Sequence, residues 1–305
     1  MQQHTVRFKQ VDVFTSTPLK GNPLAVVFDA DALDTEQMQA IAQWTNLSET
    51  TFLLKPTDPS ADYRVRIFTT HGELPFAGHP TLGTAHAWRE AGNQPKQPGR
   101  LVQQCAAGLI ELTEEDNARN VWAFAAPPAR VTPLAQGEYA ALADALRSDA
   151  IDYTAQPCAV DNGPQWLVIR MKSAAAVLAL KPDAAALGRV AQTVGAHGIA
   201  AYGPHDPDGP ATFELRCLML GGGLGVGEDP VTGSANAAVA GLLTAQNNRP
   251  GMQYTVRQGT AIGRAGDISV RYDDAAGKTW IGGASVTIID GTFRLPSTHA
   301  RNQPE

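Results

Sequence analysis

Three ionisable side chains stand where local chemistry could use them. They are Glu49 in Ser48-Glu49-Thr50-Thr51, His79 in Gly78-His79-Pro80 and Asp229 in Glu228-Asp229-Pro230. A carboxylic acid among hydroxyls, just before an apolar run, can be partly buried, and its pKa then rises toward the range where it both gives and takes protons. Glu49 has that setting, and it equally fits a solvated carboxylate in a polar connection. His79 follows a glycine at an expected helix start, where it is either an N-terminal cap or a donor to a carboxylate or oxyanion. Asp229 is either a turn residue capping the next helix or a second carboxylate of the same site.

An internal repeat places two of the three. The stretch Glu73-Leu-Pro-Phe-Ala-Gly-His79 returns 155 positions later as Glu228-Asp-Pro-Val-Thr-Gly-Ser234. Glu73/Glu228, Pro75/Pro230 and Gly78/Gly233 coincide, while Leu74 faces Asp229 and His79 faces Ser234. An offset of about half the chain is what two related halves give. A turn ending in glycine at a helix start presents free N–H groups and the positive end of the helix dipole, a setting for an anion. The pattern predicts two helix N-termini facing one site. Because Glu73 and Glu228 recur, their expected role is structural, closing each turn onto the backbone.

The surrounding elements read as strands and helices in a repeated order. Alternating or apolar runs predict strands at 5–14, 24–28, 52–55, 63–69, 101–105, 109–113 and 121–125. A helix is expected over 34–44, capped at Asp34. The Ala126-Pro-Pro-Ala129 stretch is the candidate domain boundary. Beyond it, helices are expected at 138–147 and 183–194, and strands at 166–171, 199–202, 212–218, 253–257, 268–272, 279–281 and 284–289, with 292–295 as one more. The two helices after the repeat turns are rich in Ala, Gly, Val and Leu nearly all round, so each is expected to be buried on every face and wrapped by a curved sheet. The order predicts mixed α and β structure with mostly antiparallel pairing rather than a doubly wound sheet.

Composition narrows the function. A chain of 305 residues with 43% hydrophobic and 18% charged residues is an ordinary globular composition, and its length predicts two domains. A net charge of −6 without a Lys/Arg cluster argues against a nucleic-acid partner or an anionic membrane surface. No apolar run approaches a membrane span, and the first residues lack the apolar core of a signal peptide. Cys105, Cys158 and Cys217 are scattered, forming neither a disulfide framework nor a metal motif, and a reducing cytoplasm is the expected setting. The glycine run Gly221–Gly227 does not satisfy the dinucleotide pattern. His71-Gly-Glu73 lacks the cysteine pair of a zinc deaminase, and His79 with His86 has no further ligands.

Several blocks in order then resemble one family. Gly21-Asn-Pro-Leu-Ala-Val-Val27, Asn46-Leu-Ser-Glu-Thr50, the two repeat turns, Gln258-Gly259, Gly263-Arg264 and Ile281-Gly-Gly283 are similar to the phenazine-biosynthesis PhzF-like isomerases, over about residues 7 to 295. The resemblance implies an α+β, diaminopimelate-epimerase-like fold of two pseudo-symmetric domains, each a barrel-like, mostly antiparallel sheet around a central helix. It implies domains of residues 1–126 with about 286–305, and of 127–285, with the active site between them. It also implies a cofactor-independent isomerase that moves a proton within a small carboxylate-bearing substrate and works as a homodimer, with neither metal nor nucleotide. Glu49 matches the single acid/base of that pattern, with His79 and Asp229 as its polar companions. Ser48, Gly78, Gly233, Ser234 and Asn22 match its binding contacts. The related epimerases use two cysteines, and neither repeat turn here carries one. An epimerase or racemase built on Glu49 and a second residue is the alternative activity, and a non-catalytic small-anion-binding protein is the alternative class. The glycine-rich segment Gly221–Gly227 departs from the family pattern and is expected to line or close the cleft.

Overall fold

The computed structural model describes residues 4–116, 120–220 and 227–295. The first half runs β1 (His4–Val13), β2 (Asn22–Val27), α1 (Thr35–Thr45), β3 (Glu49–Leu54), β4 (Tyr63–Phe68) and β5 (Glu73–Leu74). It continues through α2 (Gly78–Glu90) into β6 (Arg100–Cys105), β7 (Gly108–Asp116) and β8 (Val121–Ala125). After β9 (Arg130–Pro133) and α3 (Tyr139–Leu146) come β10 (Cys158–Asp161), β11 (Gln165–Arg170), α4 (Ala174–Leu178), α5 (Ala184–Thr193) and β12 (Gly198–Pro204). Then follow β13 (Phe213–Met219), β14 (Gly227–Asp229), α6 (Gly233–Ala245), β15 (Gln253–Gln258), β16 (Gly266–Asp273), β17 (Lys278–Gly283) and β18 (Ser285–Leu295).

The halves repeat in topology as well as in sequence. β2 pairs in parallel with β3 across α1, and β4 with β6 across α2. β11 and β12, then β13 and β15, make the same parallel pairings across α4–α5 and across α6. The other strand pairings among the described residues are antiparallel, as the alternating sequence runs require. β8 and β17 join the two halves edge to edge. β9 lies on β10, and β18 returns to lie on β1.

Both repeat helices are central. Residues 78–87 of α2 are all buried, as is nearly all of α6 between Gly233 and Leu243. Their small side chains allow strands to approach from every side, and one continuous core runs around both. The outer helices cover separate apolar layers, α1 on one half and α3 to α5 on the other. At α1, Asp34 accepts from the Gln37 N–H while the Gln37 side chain accepts from the Asp34 N–H, a complete capping box.

Some elements differ from expectation. The strands expected at 284–289 and 292–295 are one strand, because Asp290 and Gly291 pair with Lys9 and Phe8 and long pairing with β1 overrides the local turn signal. Lys9, nearly buried, reaches both Asp290 at 3.0 Å and Glu90 of α2 at 2.6 Å, which fastens the returning strand to a central helix. The short strands β9 and β10 and the helix α4 carry too few residues for a periodic signal.

The repeated glutamates do not close their turns onto the backbone. Glu73 takes a forked pair of hydrogen bonds from Arg66 on β4, at 2.7 and 2.6 Å. Glu228 accepts two hydrogen bonds from the corresponding Arg216 on β13, at 3.1 and 2.8 Å, both at its Oε2. The partners arrive by sheet register, which a local reading of the turn does not reveal. Burial separates the two copies: the side chains of Arg216 and Glu228 are 12% and 8% exposed, those of Arg66 and Glu73 20% and 31%. Arg216→Met should therefore cost about 3–5 kcal/mol by stranding a buried carboxylate, and Arg66→Met about 1 kcal/mol or less. Urea denaturation of the two variants measures the difference, and equal losses would contradict this account.

Candidate active site

The two central helices meet at their N-termini. A Cβ added to Gly78 would lie 3.6 Å from the Gly233 Cα and only 2.6 Å from the Phe124 ring. Glycine in both copies thus lets two helix starts and an aromatic ring share one place. The N-cap residues, Ala77 and Thr232, make no side-chain cap, so no N-cap side chain occupies the first-turn N–H groups. A cavity of about 1080 Å³ opens here, lined by Ser48, Glu49, Gly78, His79, Asp229, Gly233 and Ser234 among others. Seven of the eight site residues expected from sequence therefore border one space.

Glu49 opens β3 and His79 sits in the first turn of α2. The Glu49 Oε2 lies 3.4 Å from the His79 Nε2, and neither atom has a hydrogen-bond partner among the described residues. Contacts of this kind are commonly long until a substrate draws them together. Burial pushes the Glu49 pKa up to about 8, with the Asp229 charge adding to it. Asp229 is pushed up to about 6 by burial, held back by hydrogen bonds from Thr232 at 2.6 Å and Asn22 at 3.0 Å. Burial drives His79 down to about 3, so its ring is neutral at pH 7. Near neutrality the site holds a protonated Glu49, an ionised Asp229 and an uncharged imidazole.

This protonation has a consequence for stability. The folded-state pKa of Glu49 lies above its ordinary value of 4.5, so folding binds a proton that the unfolded chain releases above that value. The stabilisation is complete below about pH 4.5 and is lost as pH rises through about 8. The melting temperature should fall across that window, and Glu49→Gln should remove most of the fall. Identical pH slopes in wild type and variant would contradict the placement of Glu49.

Asn22 differs from its expected role. It is wholly buried and does not line the cavity. Its amide instead donates to Asp229 at 3.0 Å and to the Val231 carbonyl at 2.9 Å, and its nitrogen stands 3.5 Å from His79 Nδ1. Asn22 thus fixes Asp229 from behind. Gln258, buried at the end of β15, does the same from the other side. It donates to the Asp229 carbonyl and the Thr232 hydroxyl, and it accepts from the Thr232 N–H and from Asn236. Gln258 carried no site signal of its own in the sequence, since this role depends on strands that are distant along the chain.

Sheet register also supplies what the sequence did not, a counterpart for Glu49. The repeat glutamates Glu73 and Glu228 pair with Phe68 and Leu218, which makes those two residues equivalent. Phe68 pairs with Thr50, and Leu218 with Ile199. The preceding residues are Glu49 and Gly198. The opposite edge agrees, because Leu24 pairs with Glu49 and Trp166 with Gly198, and both Leu24 and Trp166 face the central core. Gly198 therefore stands where the first half has its acid, and His197 where it has Ser48. A Cβ on Gly198 would fall 2.4 Å from the Trp166 indole, which fills the place a side chain would need. That indole donates to the Ser234 hydroxyl at 3.3 Å, and Ser234 is the counterpart of His79. Of the Gly221–Gly227 segment, Gly227 borders the cavity, and residues 221–226 lie outside the described residues.

With this geometry established, comparisons place the chain among known proteins. The family model for phenazine biosynthesis-like proteins, PhzC-PhzF, matches residues 11–291. The chain is 37% identical over 300 residues to antisense-enhancing sequence 1 of Schizosaccharomyces pombe, covering 95% of this chain and 99% of that protein. It is 35% identical to the trans-2,3-dihydro-3-hydroxyanthranilate isomerase of Pseudomonas aeruginosa, over 88% of this chain and 91% of the relative. Among solved structures, a PhzF-family phenazine biosynthesis protein of Bacillus anthracis superposes with a TM-score of 0.82 at 24% identity, covering 96% of this chain and all of that one. The α+β, diaminopimelate-epimerase-like architecture implied by the resemblance is the architecture found.

Proposed function

Because this chain belongs to the phenazine biosynthesis-like (PhzC-PhzF) family and is an isomerase of that family, we propose that it moves a proton within a small carboxylate-bearing substrate, using Glu49 as the single acid/base and no cofactor. The observation that carries this reading is the asymmetry of the cleft. One half presents a buried acid with a pKa of about 8 against a neutral histidine, and the other presents Gly198 under an indole.

The resting protonation sets the order of events. Protonated Glu49 gives its proton to one carbon of an electron-rich, conjugated substrate, and the substrate gains a positive charge. The Glu49 carboxylate so formed then removes a proton from another carbon on the same face, and the electron pair of that C–H bond neutralises the charge. Nothing is oxidised, and the acid ends as it began. Ionised Asp229 stabilises the transient cation, while the open N–H groups of α2 and α6 hold the substrate carboxylate. Ser48, Gly78, Gly233 and Ser234 border the space where it would sit, and Asn22 acts through Asp229. The corresponding division puts residues 1–126 with the returning strand in one domain and 127–285 in the other, supported by β18 on β1 and β9 on β10.

The test uses trans-2,3-dihydro-3-hydroxyanthranilate, the compound in the name of the Pseudomonas aeruginosa relative, in D₂O with chelator and no added cofactor. The expected product carries at most one deuterium, at the carbon that receives the proton. Recovered substrate with deuterium at an inverted centre would instead establish two-base epimerase chemistry.

A further inference from the structure

The corner of the cleft that mirrors the acid has its own chemistry. Where the first half has Ser48 and Glu49, the second has His197 and Gly198, and the space over the glycine is taken by Trp166. The His197 ring packs against that indole at 4.4 Å between centroids, and burial lowers its pKa, so it is an uncharged aromatic surface. Both rings line the same cavity as Glu49. Arg130, at the start of β9, borders it too and is the one Lys or Arg among its described lining residues. Arg130 is exposed and has no ion pair among the described residues. Its neighbour across the strand pair, Asp161, accepts the Gly163 N–H at 3.1 Å. The cavity, at about 1080 Å³, slightly exceeds the size range that holds drug-sized ligands. A single six-membered ring at the acid end would leave this corner unused.

We propose that this corner is a subsite for the non-reacting arm of the substrate, a planar unsaturated group that rests on the half-buried His197 ring, which the buried Trp166 indole backs, and ends in an anion answered by Arg130. This rests on Glu49 marking the reacting end. Contact with the His197 ring face favours a flat arm, and the guanidinium fork suits a carboxylate. The substrate class that follows is an extended aromatic or conjugated dicarboxylate. A monocyclic monoacid would engage only the helix N-termini.

Calorimetric titration with naphthalene-2,6-dicarboxylate and with benzoate tests the subsite without turnover. The dicarboxylate should bind at least about tenfold more tightly. Arg130→Gln and His197→Ala should each remove about tenfold of that affinity and leave benzoate binding unchanged, with melting temperatures checking that both variants fold. Equal affinities for the two probes, no binding of either, or tight dicarboxylate binding indifferent to both substitutions would overturn the proposal. Glu49→Gln should retain dicarboxylate binding while losing turnover, so failure of the subsite and failure of the acid/base reading give different results.

Discussion

Glu49→Gln should lower turnover by about 10²- to 10⁴-fold while leaving the fold intact, the loss typical when a positioned general acid is removed. The amide keeps the shape of the side chain but can neither give up nor take a proton in this pH range. Stability should hold or rise near pH 8, because the substitution deletes a group whose ionisation the folded state resists. Steady-state kinetics with circular dichroism checks both statements. Near-wild-type turnover would remove Glu49 from the mechanism.

The second large effect is expected at Asp229. Burial keeps its pKa at about 6, and its charge is one of the two influences that raise Glu49 to about 8. A reaction that needs Asp229 ionised and Glu49 protonated is fastest between those values, with a bell-shaped profile falling on either side. Asp229→Asn keeps an acceptor for Asn22 and can turn its amide toward the Thr232 hydroxyl. It removes the charge that stabilises a cationic intermediate, and turnover should drop by about 10²-fold. The acid limb of the profile should disappear. The alkaline limb should move to lower pH, because Glu49 loses a neighbouring negative charge although its burial remains. An unchanged profile would show that Asp229 serves only the turn.

Much of this candidate site is legible in the amino-acid sequence. The repeat marked two helix starts, and its broken positions, His79 against Ser234 and Leu74 against Asp229, pointed at side chains that do share one cavity. Glu49 stood out through its hydroxyl neighbours and the apolar strand behind it. What the sequence does not reveal locally depends on register between strands far apart along the chain. The partners of Glu73 and Glu228, arginines on β4 and β13, follow from antiparallel pairing with no local signature. The same holds for Gly198 as the counterpart of Glu49. Asn22 is a binding contact only through the family resemblance, and its burial behind Asp229 is tertiary, set by residues far along the chain. The two strands expected near the C-terminus merged for a related reason, since pairing along β1 outweighs an Asp-Gly turn signal.

The central claim is that Glu49 rests protonated in a neutral-pH protein, ready to deliver its proton first. Its carboxyl carbon can be followed directly by ¹³C NMR in protein labelled at glutamate side chains, with Glu49→Gln assigning the resonance. The account predicts one glutamate titrating near pH 8, absent from the variant and moved to lower pH by Asp229→Asn. A Glu49 resonance titrating near its ordinary value of 4.5 would contradict it.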